Sequence, residues 1–246
     1  MIPMTQNSTI KTLTSHVSVR DFTAEPVSEA DRNAIFEAAR ASSSSCFLQV
    51  VTVIRITDPG KRRVFVKLTG GQRHIETAAE FWVFCADYRR CEVMAGKTLD
   101  LGWTEQLLVG CTDVAIMAQS AMAALESLGL GGVYAGGIRN SIEEVDRLLG
   151  LPENVIPVLG LAFGHPALRN ELKPRLPREA LLCENTYRES DPALLENYDR
   201  ELARYYETRS RNPKKDSWKA GIERILLRER RPFLLAYLQK KGFGKR

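Results

Sequence analysis

The side chains able to do covalent or metal chemistry are scattered. Five cysteines (Cys46, Cys85, Cys91, Cys111 and Cys183) include no C-x-x-C pair, and His16, His74 and His165 stand far apart, so neither zinc nor a disulfide framework is indicated. There is no Gly-x-Ser-x-Gly elbow, no His-Glu-x-x-His and no cysteine with an evident histidine partner. The glycines of Gly129–Gly137 follow an expected helix instead of opening one, and their register fails at Tyr134, so no dinucleotide fingerprint is present. Gly96-Lys97-Thr98 ends like a phosphate-binding P-loop, but Cys91 stands where that motif needs glycine. What remains is a set of polar and glycine-rich loops without an acid, base or nucleophile, the situation expected when a bound cofactor supplies the reactivity.

Several of these loops suit an anion. Lys11–Phe22 mixes small polar residues with His16 and Arg20. Ser42–Ser45 is a run of four serines that reads either as a simple turn or as a polar loop offering hydroxyl and N–H groups to a ligand. In Leu172-Lys173-Pro174-Arg175-Leu176-Pro177, prolines on both sides of Arg175 restrict the backbone and hold two cations in a defined direction. The formal charge of +5 is concentrated: residues 200–231 carry eleven Lys/Arg against five Asp/Glu, so the rest is about neutral. That segment is a candidate anion site or a solvated, salt-bridged helical surface.

The elements that must position these loops follow from periodicity. Glu105–Leu128 places polar pairs at Glu105/Gln106, Thr112/Asp113, Gln119/Ser120 and Glu126/Ser127, one pair every seven residues. This predicts a helix of roughly 36 Å with one narrow wet stripe. Asp113 and Gln119 in its middle argue against a membrane span. Glycines 129, 131 and 132 stop it, and Val133–Gly137 exposes bare backbone. Ser28–Arg40, Lys61–Leu68, Ser141–Leu149, Glu196–Arg209 and Ser217–Gln239 are predicted helices. Val50–Ile56, Phe81–Ala86 and Val155–Gly164 are predicted buried strands, and Arg89–Trp103 a mobile loop or lid. At 246 residues and 44% hydrophobic content the chain holds one domain with an embellishment, or two small ones. Its first ten residues lack a signal pattern, which together with the cysteine usage points to the cytoplasm.

Taken in order, Ser15–Phe22, Ser42–Gln49, Thr69–Gln72, Gly129–Gly137, Leu172–Pro177 and Arg231-Pro232-Phe233 resemble the oxygen-insensitive, NADPH-preferring nitroreductase and flavin reductase family, nearly end to end. The resemblance implies an α+β fold: a mainly antiparallel sheet surrounded by helices, in an intertwined homodimer with two FMN sites. It implies a single domain over 1–246, with 190–246 a basic helical extension embracing the partner subunit. His16, Ser18, Arg20 and Arg175 then serve the phosphate and ribityl end of FMN, and Lys173 tunes the flavin near its N1–O2 edge. Ser44, Ser45 and Gln72 resemble ring-edge contacts, and Tyr134, Ala135, Gly136 and Gly137 pass their backbone beside the ring. Cys46, Phe47 and Arg231 resemble acceptor contacts, and Arg209, Lys214 and Lys215 match a basic loop for the 2′-phosphate of NADPH. The activity implied is ping-pong: hydride passes from NADPH to FMN, then to a nitroaromatic, quinone or free flavin. Two departures stand out, Val17 where the family commonly has arginine and Cys46 where serine is usual.

Two other functions stand beside this one, the first of them not separable by loop sequence. A flavin reductase releasing free reduced flavin differs only in its acceptor, whereas a nucleic-acid-binding protein using residues 200–231 would lack a reading motif or aromatic platform. Neither a nucleic-acid nor a membrane partner is expected. Replacing Arg209 and Lys214 together by Ala is expected to raise KM for NADPH much more than for NADH in steady-state assays; equal effects would remove the 2′-phosphate role.

Overall fold

The computed structural model describes residues 7–246, which form two compact units. One comprises the described part of Met1–Arg169 together with Arg231–Arg246, and the other is Asn170–Arg230.

The first unit is organised by a four-stranded antiparallel sheet in the order β1-β2-β4-β3, with β1 Val51–Arg55, β2 Glu80–Asp87, β3 Gly131–Ala135 and β4 Val155–Gly164. Its faces follow from the two-residue period of a strand. Trp82, Phe84 and Ala86 of β2 enter one core, whereas Phe81, Val83 and Cys85 enter the other. Every residue of β2 is buried, so the strand reads as a nearly continuous apolar run.

Helices cover both faces. Ile35 and Ala39 of α2 (Glu29–Arg40) meet Val114, Ala118, Met122 and Leu125 of α6 (Thr104–Ser127) in the first core. The second core holds Phe65 of α3 (Pro59–Leu68), Ile75 of α4 (His74–Thr77) and Val145 of α7 (Ile142–Leu149). Each buried large side chain contributes about 1.5–3 kcal/mol. Helices α1 (Ser8–Thr14), α5 (Arg89–Ala95) and α11 (Leu234–Lys240) complete the unit. Helix starts obey local chemistry: the side chains of Ser28 and Asp58 accept hydrogen bonds from the Asp31 and Lys61 N–H groups, and Pro59 occupies the first turn of α3. Ser141 stands at the start of α7, yet its side chain makes no cap bond.

The second unit contains α8 (Arg178–Leu181), α9 (Pro192–Thr208) and α10 (Trp218–Leu226), with Tyr198 of α9 stacked edge-on against Trp218 of α10 at 5.5 Å.

Four local expectations change. The glycine-rich segment after α6 is a strand, β3, because Gly131 and Gly132 pair with Gly164 and Phe163. Arg89–Ala95 forms α5, capped by Gly96 at φ 64°, where a loop was expected. The helix expected over Ser217–Gln239 is two helices, interrupted around Arg231 at φ 57°. The expected wet stripe of α6 is not uniformly wet: Asp113 is buried, the Glu126 side chain is 6% exposed, and both are bonded to distant segments. Among the described residues, α6 alone is long and apolar enough to cross a membrane; in the fold, its Val114, Ala118 and Leu125 lie in the core.

Two close approaches need glycine. A Cβ at Gly131 would come within 2.5 Å of Val19, and one at Gly160 within 2.7 Å of the Phe81 ring. Gly131→Ala is expected to lower unfolding free energy by about 1–3 kcal/mol through overpacking, measured by urea denaturation.

Candidate functional site

The first unit brings three of the sequence-predicted loops onto defined supports. After α1 the chain runs extended: the Val19 N–H donates to the Gly132 carbonyl at 3.0 Å and its side chain is fully buried, while Ser18 is half-buried and Arg20 exposed. The missing side chain at Gly131 makes room for Val19. His16 donates from Nδ1 to Glu126 Oε1 at 2.7 Å, which orients the ring and turns Nε2 away from the carboxylate. The His74 pKa is lowered, first by burial and then by the positive charge of Arg20, and its Nε2 has no partner among the described residues.

At the end of β3 the backbone forms a shelf. Tyr134 turns its side chain away, donating its hydroxyl hydrogen to oxygens of α6, the Ala118 carbonyl at 3.0 Å and Gln119 Oε1 at 3.1 Å. Burial, then the negative charge of Glu126, raises the Tyr134 pKa, so the hydroxyl remains a donor. Ala135, Gly136 and Gly137 follow, and a Cβ at Gly137 would lie 2.6 Å from Gln72 Nε2 and 2.8 Å from the Thr69 carbonyl. The Thr69–Gln72 turn therefore packs directly on bare backbone. Gln72 Oε1 is buried and has no hydrogen-bond partner among the described residues. Asn140, which sequence reasoning missed, joins the pieces: its Nδ2 donates to the Thr69 carbonyl at 3.3 Å, and its Oδ1 accepts from Arg231 Nε at 3.1 Å and Nη2 at 2.7 Å. Gln72, Gly137 and Arg231 thus belong to one assembly, and an asparagine a few residues after a glycine pair was the only available signal.

The serine loop is held by α6. Asp113 accepts from the Ser44 hydroxyl at 2.7 Å and from the Ser45 N–H at 3.1 Å, while Ser44 Oγ accepts the Gln49 N–H at 2.7 Å. These bonds close a turn in which Cys46, Phe47 and Gln49 have φ of 50°, 55° and 55°, a conformation costly for residues with a side chain. Phe47 is left 79% exposed. Ser44, expected at a ring edge, spends its hydrogen on Asp113. The loop borders a cavity of about 250 Å³ lined by Phe36, Arg40, Ser42, Arg90 and Met117 among others.

The second unit carries the remaining cations. Lys173 and Arg175 sit on the proline hook, with Arg175 Nη1 donating to the Lys173 carbonyl at 3.0 Å. Arg209 caps α9 and bonds the Asn212 carbonyl through Nε at 3.0 Å, while Lys214 pairs with Asp216. Lys173, Arg209 and Lys214 are brought together around the ring of Tyr206. Lys215 is exposed. Hydrogen bonds from Lys214 and Arg224 hold the Asp216 carboxyl well below the usual carboxylate range.

The first unit is an α+β fold, an antiparallel sheet between helical layers, and it carries a glycine-containing backbone segment packed on the Thr69–Gln72 turn and a buried amide oxygen with no partner among the described residues. Residues 13–165 match the model of the nitroreductase family, residues 173–246 match that family's C-terminal domain, and the chain belongs to the nitroreductase family. It is an oxidoreductase. It is 53% identical to an oxygen-insensitive NADPH nitroreductase of Salmonella typhimurium, covering 97% of this chain and 99% of that one. Among solved structures it resembles nitroreductase A of Vibrio parahaemolyticus (TM-score 0.94, 40% identity, 98% of this chain and 100% of that one). It also resembles the NADPH:FMN oxidoreductase of Vibrio harveyi complexed with NAD+ (TM-score 0.91, 42% identity, the same coverage).

Asp113→Ala strips the acceptor from Ser44 and Ser45, and is expected to lower stability by about 1–3 kcal/mol and to expose the serine loop to proteolysis. Asp113→Asn keeps one acceptor oxygen and is expected to lose less on both measures, read by denaturant unfolding and limited trypsin digestion.

Proposed function

We propose that this chain is an FMN-dependent NADPH oxidoreductase that reduces nitroaromatics, quinones or related acceptors by two-electron, ping-pong hydride transfer, and that it works as a homodimer in the cytoplasm. The observation that carries the reading is the shelf at Ala135–Gly137 beside Gln72. Gly137 leaves no room for a side chain, and the buried Gln72 Oε1 has no donor among the described residues, which the imide N–H of a flat heterocycle would supply. The residues present fit FMN. Bound there, FMN supplies a two-electron carrier that accepts hydride from one substrate and gives it to another.

This chain's residues bind and orient. Arg20 and Arg175 are each assigned to the phosphate, since guanidinium groups hold a dianion with paired hydrogen bonds, and Ser18 and His16 are assigned to the same end of the cofactor. Lys173 would offer positive charge to the bound ring system and so favour its taking up electrons. Ser45 sits on the closed serine loop and presents that loop's edge to the ring. Tyr134, Ala135, Gly136 and Gly137 contribute backbone. Cys46 and the exposed Phe47 border the acceptor, Arg231 reaches it from its Asn140 anchor, and Arg209, Lys214 and Lys215 receive the donor's 2′-phosphate. Val17 removes one cation from the phosphate end, leaving Arg20 and Arg175 to bear that charge.

The homodimer is supported by the apolar surface of α6, where Leu108 is 59% and Ile116 39% exposed. The five unpaired cysteines suit a reducing compartment. A 44% identical relative in Vibrio harveyi is an NADPH-flavin oxidoreductase, which favours free flavin as a second acceptor.

Purified protein is expected to carry flavin absorbance or to take up FMN stoichiometrically, and NADPH is expected to bleach it without oxygen in a stopped-flow half-reaction. A nitrofuran or quinone is expected to restore the colour in a second half-reaction. Protein that binds no FMN overturns the reading, and a far higher kcat/KM for free FMN than for a nitrofuran moves the assignment to flavin reductase.

A further inference from the structure

Three cations share one aromatic ring in the second unit. Lys173 Nζ lies 4.8 Å, Arg209 Cζ 5.2 Å and Lys214 Nζ 4.5 Å from the centre of Tyr206. They come from three different places: the proline hook, the C-terminal cap of α9 and the loop beyond it. Tyr206 has two further attachments, one through its side chain and one through its backbone. Its hydroxyl accepts from Lys173 Nζ at 2.5 Å, and the Tyr206 carbonyl accepts the Lys214 N–H at 2.9 Å, which closes the loop 209–213 against α9.

Among the interactions described around the ring, cations outnumber carboxylates. Asp216 pairs with Lys214 and is also bonded by Arg224. Glu171 accepts the Ser210 N–H at 3.0 Å and adds a carboxylate beside Arg209. Three cations and Arg224 therefore face two carboxylates and a neutral ring. The negative face of an aromatic ring attracts each cation, yet it cancels only part of their mutual repulsion. An anion entering the cluster gains from all of them. The tyrosine keeps the cluster assembled before that anion arrives, so the cations need not be ordered at the moment of binding.

We propose that Tyr206 is a positioning residue that gathers Arg209 and Lys214 into a ready-made site for the donor's 2′-phosphate and ties that site to Lys173, making it a determinant of the preference for NADPH over NADH. The inference rests on the NADPH reading above. Its two parts are separable: the ring gathers the cations, and the hydroxyl tethers Lys173.

The test uses the FMN-loaded enzyme and the ratio of kcat/KM for NADPH to that for NADH. Tyr206→Leu removes the ring and is expected to lower this ratio about five- to tenfold, through KM for NADPH. Tyr206→Phe keeps the ring and is expected to hold the ratio within about twofold of the parent. Successively fluorinated phenylalanines at position 206 preserve the shape while draining the ring face, so they serve even where the leucine variant fails to fold. The ratio is expected to fall stepwise along that series. A ratio unchanged by fluorination, or NADPH and NADH affected alike, overturns the role of Tyr206. Arg209→Ala combined with Lys214→Ala is the control. If it lowers the ratio while the position-206 series does not, only the present proposal fails; if the control leaves the ratio unchanged, the phosphate assignment fails and takes the proposal with it.

Discussion

A carboxylate buried in the middle of a helix has to be satisfied, and Asp113 is satisfied by a segment nearly seventy residues earlier in the chain. Its partners are the Ser44 hydroxyl and the Ser45 N–H. That constraint joins the longest helix to the serine loop, as the Glu126–His16 pair joins the other end of the same helix to the extended segment carrying Ser18 and Arg20. Helix α6 therefore does more than fill the core. Its two buried acids fix where two of the candidate binding segments lie, and Tyr134 bonds the same helix from β3. An isolated buried charge is among the costliest features a fold can carry, so each of these attachments is strongly specified.

The sequence was most informative where one physical rule acts over a short range. The β-branched and aromatic runs at Val50–Ile56, Phe81–Ala86 and Val155–Gly164 became β1, β2 and β4, and the seven-residue spacing of α6 gave a helix displaced by one residue at each end. It was least informative where distant partners decide. Asp113 and Glu126 looked like solvent-facing residues because their partners are far away in sequence. β3 was obscured because glycine is usually a weak strand former, and here its small size admits Val19 and Met122. The helical pattern over Ser217–Gln239 gave no warning that the chain turns left-handed at Arg231.

Of the candidate site, the loops were legible and their internal fastenings were not. Lys173, Arg209 and Lys214 could be singled out as cations, but their common neighbour Tyr206 could not, even though it precedes Arg209 by the three residues that place side chains on one helix face. Asn140 was likewise invisible until Thr69 and Arg231 were seen to share it. In both cases a neutral residue arranges charged or polar ones, and composition draws attention to the charges.

The serine loop also limits how this site can be diversified. Cys46, Phe47 and Gln49 all adopt positive φ within four residues, with the turn closed through Ser44. Val, Ile and Thr tolerate that backbone poorly because their branched Cβ crowds it, whereas glycine and asparagine enter it readily. A mutant library built to broaden substrate range would therefore lose part of its diversity before any substrate was offered. Varying side-chain chemistry at Phe47 among unbranched and aromatic residues, while leaving Ser44 and Asp113 intact, keeps the search within sequences that can close the turn.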